Sequence, residues 1–338
     1  MMNLYPRIQA RQIVIISSAL FCGLFFHGKA LTAQQPPPKP VSHPVPPNVE
    51  KFTVKTASRM NPEIPFYVRP PADYSPGQPG NPRRVLFVCP YHNQDALLII
   101  NNSPFVKLAD KKGWFVIMPT FKSTGDVQDR DTCYYYPEKF SGPAVREALE
   151  MIRKKYPIAV GGMLMQGYSG GAQFVHRFAI WAPDLVAAVV VNSSSWFDRP
   201  DPRSGHIAWL VTIGESDPAY EHSLEFVDQL RNAGAVPVFR SYIGVTHKAA
   251  NTAGVVPLSL AFLSYWDEVT RPQLGAQQSF FGQAKTKPLA SPADMPFVGD
   301  AQEWRYFKNT AEALRGIPEE SRVYLPSGEL AEVWQREN

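Results

Sequence analysis

The chain has 338 residues, 44% hydrophobic and 19% charged, enough to bury a sizeable core and too apolar to be disordered overall. Its formal charge is +4, but residues 1–33 hold Arg7, Arg11 and Lys29 and no acid, so the remainder carries +1. A nearly neutral chain lacks the electrostatic footprint of a nucleic-acid or anionic-membrane binder.

The N-terminus reads as an export signal. Arg7 and Arg11 precede an apolar stretch from Ile13 to Phe26, and Ala30 and Ala33 end candidate small-residue cleavage sites. This predicts a signal peptide over 1–33 and a secreted or periplasmic mature chain with no membrane span; an uncleaved anchor is the alternative. Cys22 does not fit a lipoprotein signal, because Phe21 stands where a small residue belongs. Residues 34–50 contain seven prolines and predict a stiff, solvated linker.

From Lys51 onward apolar runs alternate with amphipathic stretches. Phe52–Thr56 and Ile64–Val68 predict two antiparallel entry strands. Val85–Cys89, Phe115–Met118, Met163–Gln166, Ala187–Val191, Ile207–Ile213 and Val236–Tyr242 predict strands of a buried sheet. Between them, Pro143 opens a helix with Val145, Ala148, Leu149 and Ile152 on one face. Further helices begin near Gly170, run through Leu224, Val227 and Leu230 toward Gly234, and run through Leu258, Ala261, Phe262 and Tyr265. This alternation predicts an α/β domain over 51–270, with a mostly parallel sheet and helices on both faces. Its chemistry belongs at the carboxyl ends of the strands. Residues 271–338 carry no motif and read as a C-terminal extension, with a short helix at Ala311–Leu314 and a hairpin of Val323–Leu325 and Ala331–Trp334 around Ser327-Gly328.

Gly167-Tyr168-Ser169-Gly170-Gly171 fits G-x-S-x-G between a strand and a helix. A serine at such a turn is forced into unusual backbone angles, which lifts its hydroxyl clear of the sheet, so small neighbours are needed. A neutral serine needs a base. His247, after the strand ending at Tyr242, is the candidate; His43, His176, His206 and His222 lie in linker, helix or flanking positions. Asp217, after the strand ending at Ile213, is the candidate to hold the imidazole, with Glu215, Asp198 and Asp201 as rivals and a helix cap as its alternative role. Oxyanion donors are expected from the N–H of Gly170 and of Tyr91 or His92 in the loop after Cys89. His92 has no companion ligands at metal-binding spacing, so no metal is expected. Tyr134–Tyr136 (Tyr135 at the centre) and Trp196-Phe197 are expected to rim the pocket, or else to pack the loops down. Cys89 and Cys133 remain once the leader is removed, and could pair in an oxidising compartment or stay separate.

On these motifs, with Tyr67-Val68-Arg69-Pro70-Pro71, Ala172, Gly214-x-x-Asp217 and Gly244-x-x-His247, the segment from about Lys51 to Glu268 resembles the α/β-hydrolase superfamily. Within it the chain is similar to secreted esterases related to feruloyl and acetylxylan esterases and to polyhydroxyalkanoate depolymerases. It departs from them where relatives usually carry His-Gly and this chain has Pro90-Tyr91. The resemblance implies the α/β-hydrolase fold and cofactor-free hydrolysis of a small-molecule or polymer carboxylic ester. A serine peptidase of the same fold and a non-catalytic binding module are the alternative readings.

Overall fold

The computed structural model describes residues 43–76, 80–123, 126–247, 254–274 and 291–336. The expected signal peptide and residues 34–42 of the expected linker lie outside these residues, as do Phe280 and Phe281.

Eight strands form the main sheet: β1 (Glu50–Lys55), β2 (Glu63–Arg69), β3 (Val85–Cys89), β4 (Phe115–Pro119), β5 (Met163–Tyr168), β6 (Val186–Asn192), β7 (Ala208–Gly214) and β8 (Val238–Tyr242). They lie in the order β1-β2-β4-β3-β5-β6-β7-β8. β2 is antiparallel to both neighbours, and every pair from β4 to β8 is parallel. This is the mostly parallel sheet that the apolar runs predict, in the α/β-hydrolase arrangement. β3, β4, β6, β7 and β8 are buried along their whole length, as strands covered on both faces must be.

The helices are α1 (Pro104–Lys112), α2 (Gly142–Arg153), α3 (Gly170–Trp181), α4 (Tyr220–Asn232) and α5 (Val255–Thr270). Local chemistry sets their ends. α1 starts at Ser103, whose hydroxyl accepts from the Phe105 N–H, has Pro104 in its first turn, and stops at Gly113 with φ 73°. α2 buries Val145, Ala148, Leu149 and Ile152, the expected face. α3 is buried from Gly170 to Ala179, because it lies at the centre of the domain. Among the described residues, no helix is long and apolar enough to cross a membrane.

The ends of β3 and α5 are joined by buried charge. Arg84 donates through Nε to Asp267 Oδ1 at 2.9 Å and through a terminal nitrogen to Thr270 Oγ1 at 2.7 Å, and it also bonds the Gly162 carbonyl. Asp267 is fully buried and also accepts from Arg271.

The C-terminal region departs from its expected hairpin. Residues from Ser327 form not a strand but helix α7 (Gly328–Gln335), capped by the Ser327 hydroxyl accepting from the Leu330 N–H at 3.1 Å. Leu330, Ala331 and Trp334 share its buried face. Four residues, Ala331-Glu332-Val333-Trp334, are too few to distinguish strand from helix, whereas Ser-Gly-Glu just before Leu330 is a helix start. A short helix α6 (Ala311–Gly316) also forms. β11 (Arg322–Leu325) instead pairs with β9 (Phe297–Asp300), which also pairs with β10 (Arg305–Lys308). This small sheet and α7 pack beside β8. Trp334 Nε1 donates to the Phe239 carbonyl at 2.7 Å, and the Arg240 guanidinium lies 3.8 Å over the Trp304 ring.

The possible disulfide is absent: Cys89 and Cys133 are both free and buried. Burial pushes both thiols above their ordinary range, so each stays a neutral, small apolar residue.

Two outcomes follow. Asp267→Ala strands the Arg84 charge in the core and should lower unfolding free energy by about 3–5 kcal/mol in urea titrations. Glu268→Ala, which breaks only an exposed pair with Lys112, should cost less than about 1 kcal/mol; equal effects would remove the buried pair's special standing. Alkylation of the denatured, unreduced protein followed by peptide mass mapping should find both Cys89 and Cys133 alkylated, and a linked Cys89–Cys133 peptide would contradict the free thiols.

Candidate active site

Ser169 sits between β5 and α3 with φ 54° and ψ −118°, in the positive-φ region that side chains rarely occupy. Its neighbours show why the chain is Gly-rich here. A Cβ on Gly167 would collide with the Gly171 backbone, and one on Gly171 would collide with the Cys89 carbonyl. The elbow is pressed against β3 and anchored to β6, where the Ser169 N–H donates to the Asn192 carbonyl at 3.0 Å. The Ser169 hydroxyl does not cap α3 and is left for the histidine.

Asp217 and His247 arrive on two loops that are tied to each other. The Glu215 N–H donates to the Tyr242 carbonyl and the Ser216 N–H to the Val245 carbonyl, both at 3.0 Å. Gly214 lies so close to Val245 that a Cβ there would collide with its carbonyl. Asp217 is buried, and its two oxygens divide the work. Oδ1 accepts from the Ala219 N–H at 3.0 Å, within the turn that precedes α4 and not as its cap, and Oδ2 lies 2.7 Å from His247 Nδ1. His247 Nε2 is 2.8 Å from Ser169 Oγ. An unbroken hydrogen-bond chain therefore joins carboxylate, imidazole and hydroxyl, the geometry a base needs to take the serine proton.

The rivals are occupied elsewhere. Glu215 accepts from the Ser241 hydroxyl, Asp198 pairs with Arg177, and Asp201 pairs with Arg203. His176 is fully buried; its Nδ1 faces the Ala172 carbonyl and its Nε2 accepts from the Asp198 N–H. Burial pushes it well below the ordinary histidine range and keeps it neutral.

The loop after β3 brings the His92 backbone N–H to Gly170: a Cβ built on Gly170 would lie 2.9 Å from the His92 nitrogen. Gly170 opens α3, so its own N–H has no intrahelical acceptor. Both N–H groups thus lie at the residue that follows the nucleophile. Of the two expected loop donors, then, His92 is brought to Gly170. Tyr91 turns its ring outward, 46% exposed and edge-on to Tyr168.

The aromatic loops divide. Trp196 is exposed, whereas Phe197 is half-buried and stacks on Phe226 at 4.3 Å. Tyr134 stacks on Phe121 at 4.8 Å, and Tyr136 lies between the guanidinium groups of Arg130 and Arg177. Of the two alternatives, packing holds for Tyr134, Tyr136 and Phe197, whose rings other aromatic rings and the cations take up. Tyr135 is buried with its hydroxyl 2.7 Å from His92 Nδ1.

Sequence reasoning missed two partners. Tyr168 donates its hydroxyl to the His247 carbonyl at 2.7 Å and stacks on the imidazole at 5.7 Å, bracing the base. Its place inside G-x-S-x-G was the only signal. Asn93, at φ 58°, bonds both Ser123 and His92, and no local pattern announced it. Among the described residues, no group of three or more metal-ligating side chains forms.

No family model and no curated protein matches this chain. Solved structures do. It is similar to a ferulic acid esterase (16% identity over 69% of this chain and 98% of that one, TM-score 0.47). It is also similar to a thermostable esterase (19% identity, 67% and 62%, TM-score 0.46). A third is a fluorophosphonate-binding serine hydrolase of Staphylococcus aureus (15% identity, 68% and 97%, TM-score 0.45). At such identities a likeness concerns the fold alone, and the reading of the site rests on its own distances. The strand order is that of the α/β-hydrolases, and the site at the carboxyl ends of its strands has the layout of a serine hydrolase.

Proposed function

We propose that this chain is an exported serine hydrolase that cleaves carboxylic esters of small molecules or polymers through an acyl-enzyme. One observation carries the reading: Ser169 on a positive-φ elbow, hydrogen-bonded through His247 to a buried Asp217 at 2.8 and 2.7 Å.

Ser169 Oγ attacks the acyl carbon while its proton passes to His247 Nε2, and the carbonyl π pair moves onto oxygen. Asp217 Oδ2 accepts from His247 Nδ1–H, fixing the tautomer that leaves Nε2 basic and stabilising the imidazolium. The Gly170 and His92 N–H groups bind the oxyanion. Its collapse expels the alcohol, which takes the proton from His247. Water then repeats the sequence on the acyl-enzyme, with His247 again as base, and releases the acid and free Ser169. The exposed rings of Tyr91 and Trp196 suit a planar or sugar-bearing substrate. Export is supported by the basic start and apolar stretch of residues 1–33.

Wild-type protein should take up a fluorophosphonate on Ser169 and turn over at least one of the acetyl, butyryl or feruloyl esters. Ser169→Ala should abolish labelling and lower kcat by at least about 10³-fold while keeping the native circular dichroism spectrum. Labelling that persists in Ser169→Ala would put the nucleophile elsewhere. Cleavage of peptide amides with no ester turnover would favour the peptidase reading.

A further inference from the structure

We propose that the Tyr135 hydroxyl is a third donor to the acyl oxygen, its proton freed for that bond by the fixed tautomer of His92. The inference rests on the ester-hydrolase reading of Ser169 and adds a catalytic residue to it.

Asn93, His92 and Tyr135 form one chain of side-chain hydrogen bonds. The Asn93 amide meets both backbone groups of Ser123: its Oδ1 accepts from the Ser123 N–H at 2.7 Å, and its Nδ2 donates to the Ser123 carbonyl at 3.1 Å. A flipped amide would face donor with donor and acceptor with acceptor, so its orientation is fixed. The second hydrogen of Asn93 Nδ2 points to His92 Nε2, 3.1 Å away. That nitrogen must accept, so it carries no proton. A neutral imidazole then carries its proton on Nδ1. Burial lowers the affinity of His92 for a second proton, which keeps the ring neutral.

His92 Nδ1–H therefore donates to Tyr135 Oη, 2.7 Å away, and the phenol oxygen is the acceptor in that bond. Its own proton must go elsewhere. No other hydrogen bond of the Tyr135 hydroxyl exists among the described residues. Burial pushes the phenol well above its ordinary value, so it keeps that proton throughout the neutral range.

The Tyr135 hydroxyl lies beside Gly170, the residue that follows the nucleophile. A Cβ built there would lie 2.6 Å from Tyr135 Oη, 2.9 Å from the His92 nitrogen and 2.9 Å from Tyr134 Oη. Tyr135 and the His92 N–H thus flank the same face of the residue that follows the nucleophile. The Tyr134 hydroxyl beside them is fully buried and has no partner. Two phenol hydroxyls and the His92 N–H thus surround one point beside Gly170. O–H and N–H donors gathered beside the nucleophile are complementary to developing negative charge. It also gives glycine at position 170 a reason apart from helix geometry: any side chain would occupy the space beneath the phenols.

The test compares Tyr135→Phe with wild type on a matched pair of substrates, an ester and its thionoester, in which sulfur replaces the acyl oxygen. Sulfur is a weak hydrogen-bond acceptor, so loss of an oxyanion donor should penalise the ester selectively. For the ester, kcat should fall on the order of 10²-fold with KM little changed, and the thionoester should lose far less. A kcat for the ester within about threefold of wild type, or equal losses on both substrates, would overturn the role. Should Tyr135→Phe fail to fold, the wild-type protein still decides: the ¹⁵N spectrum of its histidines should show His92 protonated on Nδ1 alone at pH 7. A proton on Nε2 there would break the chain of inference. Failure of the ester-hydrolase reading looks different, since wild-type protein would then neither bind fluorophosphonate at Ser169 nor turn over the ester, and the Tyr135 role would fall with it.

Discussion

Ser169 keeps a φ of 54° because three segments leave it no alternative. Gly167 and Gly171 let β5 and α3 close onto each other and onto the Cys89 carbonyl, and the Ser169 N–H is bonded to β6. A non-glycine residue in this region costs on the order of 1–3 kcal/mol, tolerable only where the surroundings over-determine it. Here they do, since α3 is buried along most of its length and cannot shift to relieve the turn. The raised hydroxyl, the N–H of Gly170 at the start of α3 and the approach of the β3 loop all depend on that one turn.

The partners of Ser169 are held by a second set of constraints. Gly214 and Val245 are in such close contact that the loops after β7 and β8 act as one unit. Asp217 closes the first turn before α4 with one oxygen and faces His247 with the other. It caps no helix: the turn bond fixes the carboxylate so that its second oxygen can orient the imidazole. Tyr168, from the elbow itself, bonds the His247 carbonyl and ties base to nucleophile. At the opposite ends of the strands, Arg84 and Asp267 lock β3 to α5.

The C-terminal region has a physical task at the sheet. β8 is the last strand of the parallel array, and an open edge exposes unpaired backbone groups. Trp334 fills one of them by donating to the Phe239 carbonyl, and its ring sits against Gly299 of the small sheet. Trp304 and Arg240 continue the cover.

Sequence by itself determined the elements whose signals are local. Continuous apolar runs marked the strands, because a strand buried on both faces admits little else, and each was placed to within two residues or so of its ends. Ser169, Asp217 and His247 were legible because each follows a recognisable strand in a fixed order. Signals failed where four residues had to decide between strand and helix, as at Ala331–Trp334, and where the outcome depended on distant partners. Cys89 and Cys133 stayed apart, and Tyr134, Tyr136 and Phe197 went to packing, because the environment of a side chain is set by whatever the fold brings beside it. The Asn93–His92–Tyr135 chain is the clearest case. It joins the β3 loop to Ser123 and to a tyrosine 43 positions from His92, and no pattern within either segment encodes the angle at which they meet. Only the tertiary structure, by pressing both segments against Gly170, decided which of three adjacent tyrosines would meet His92.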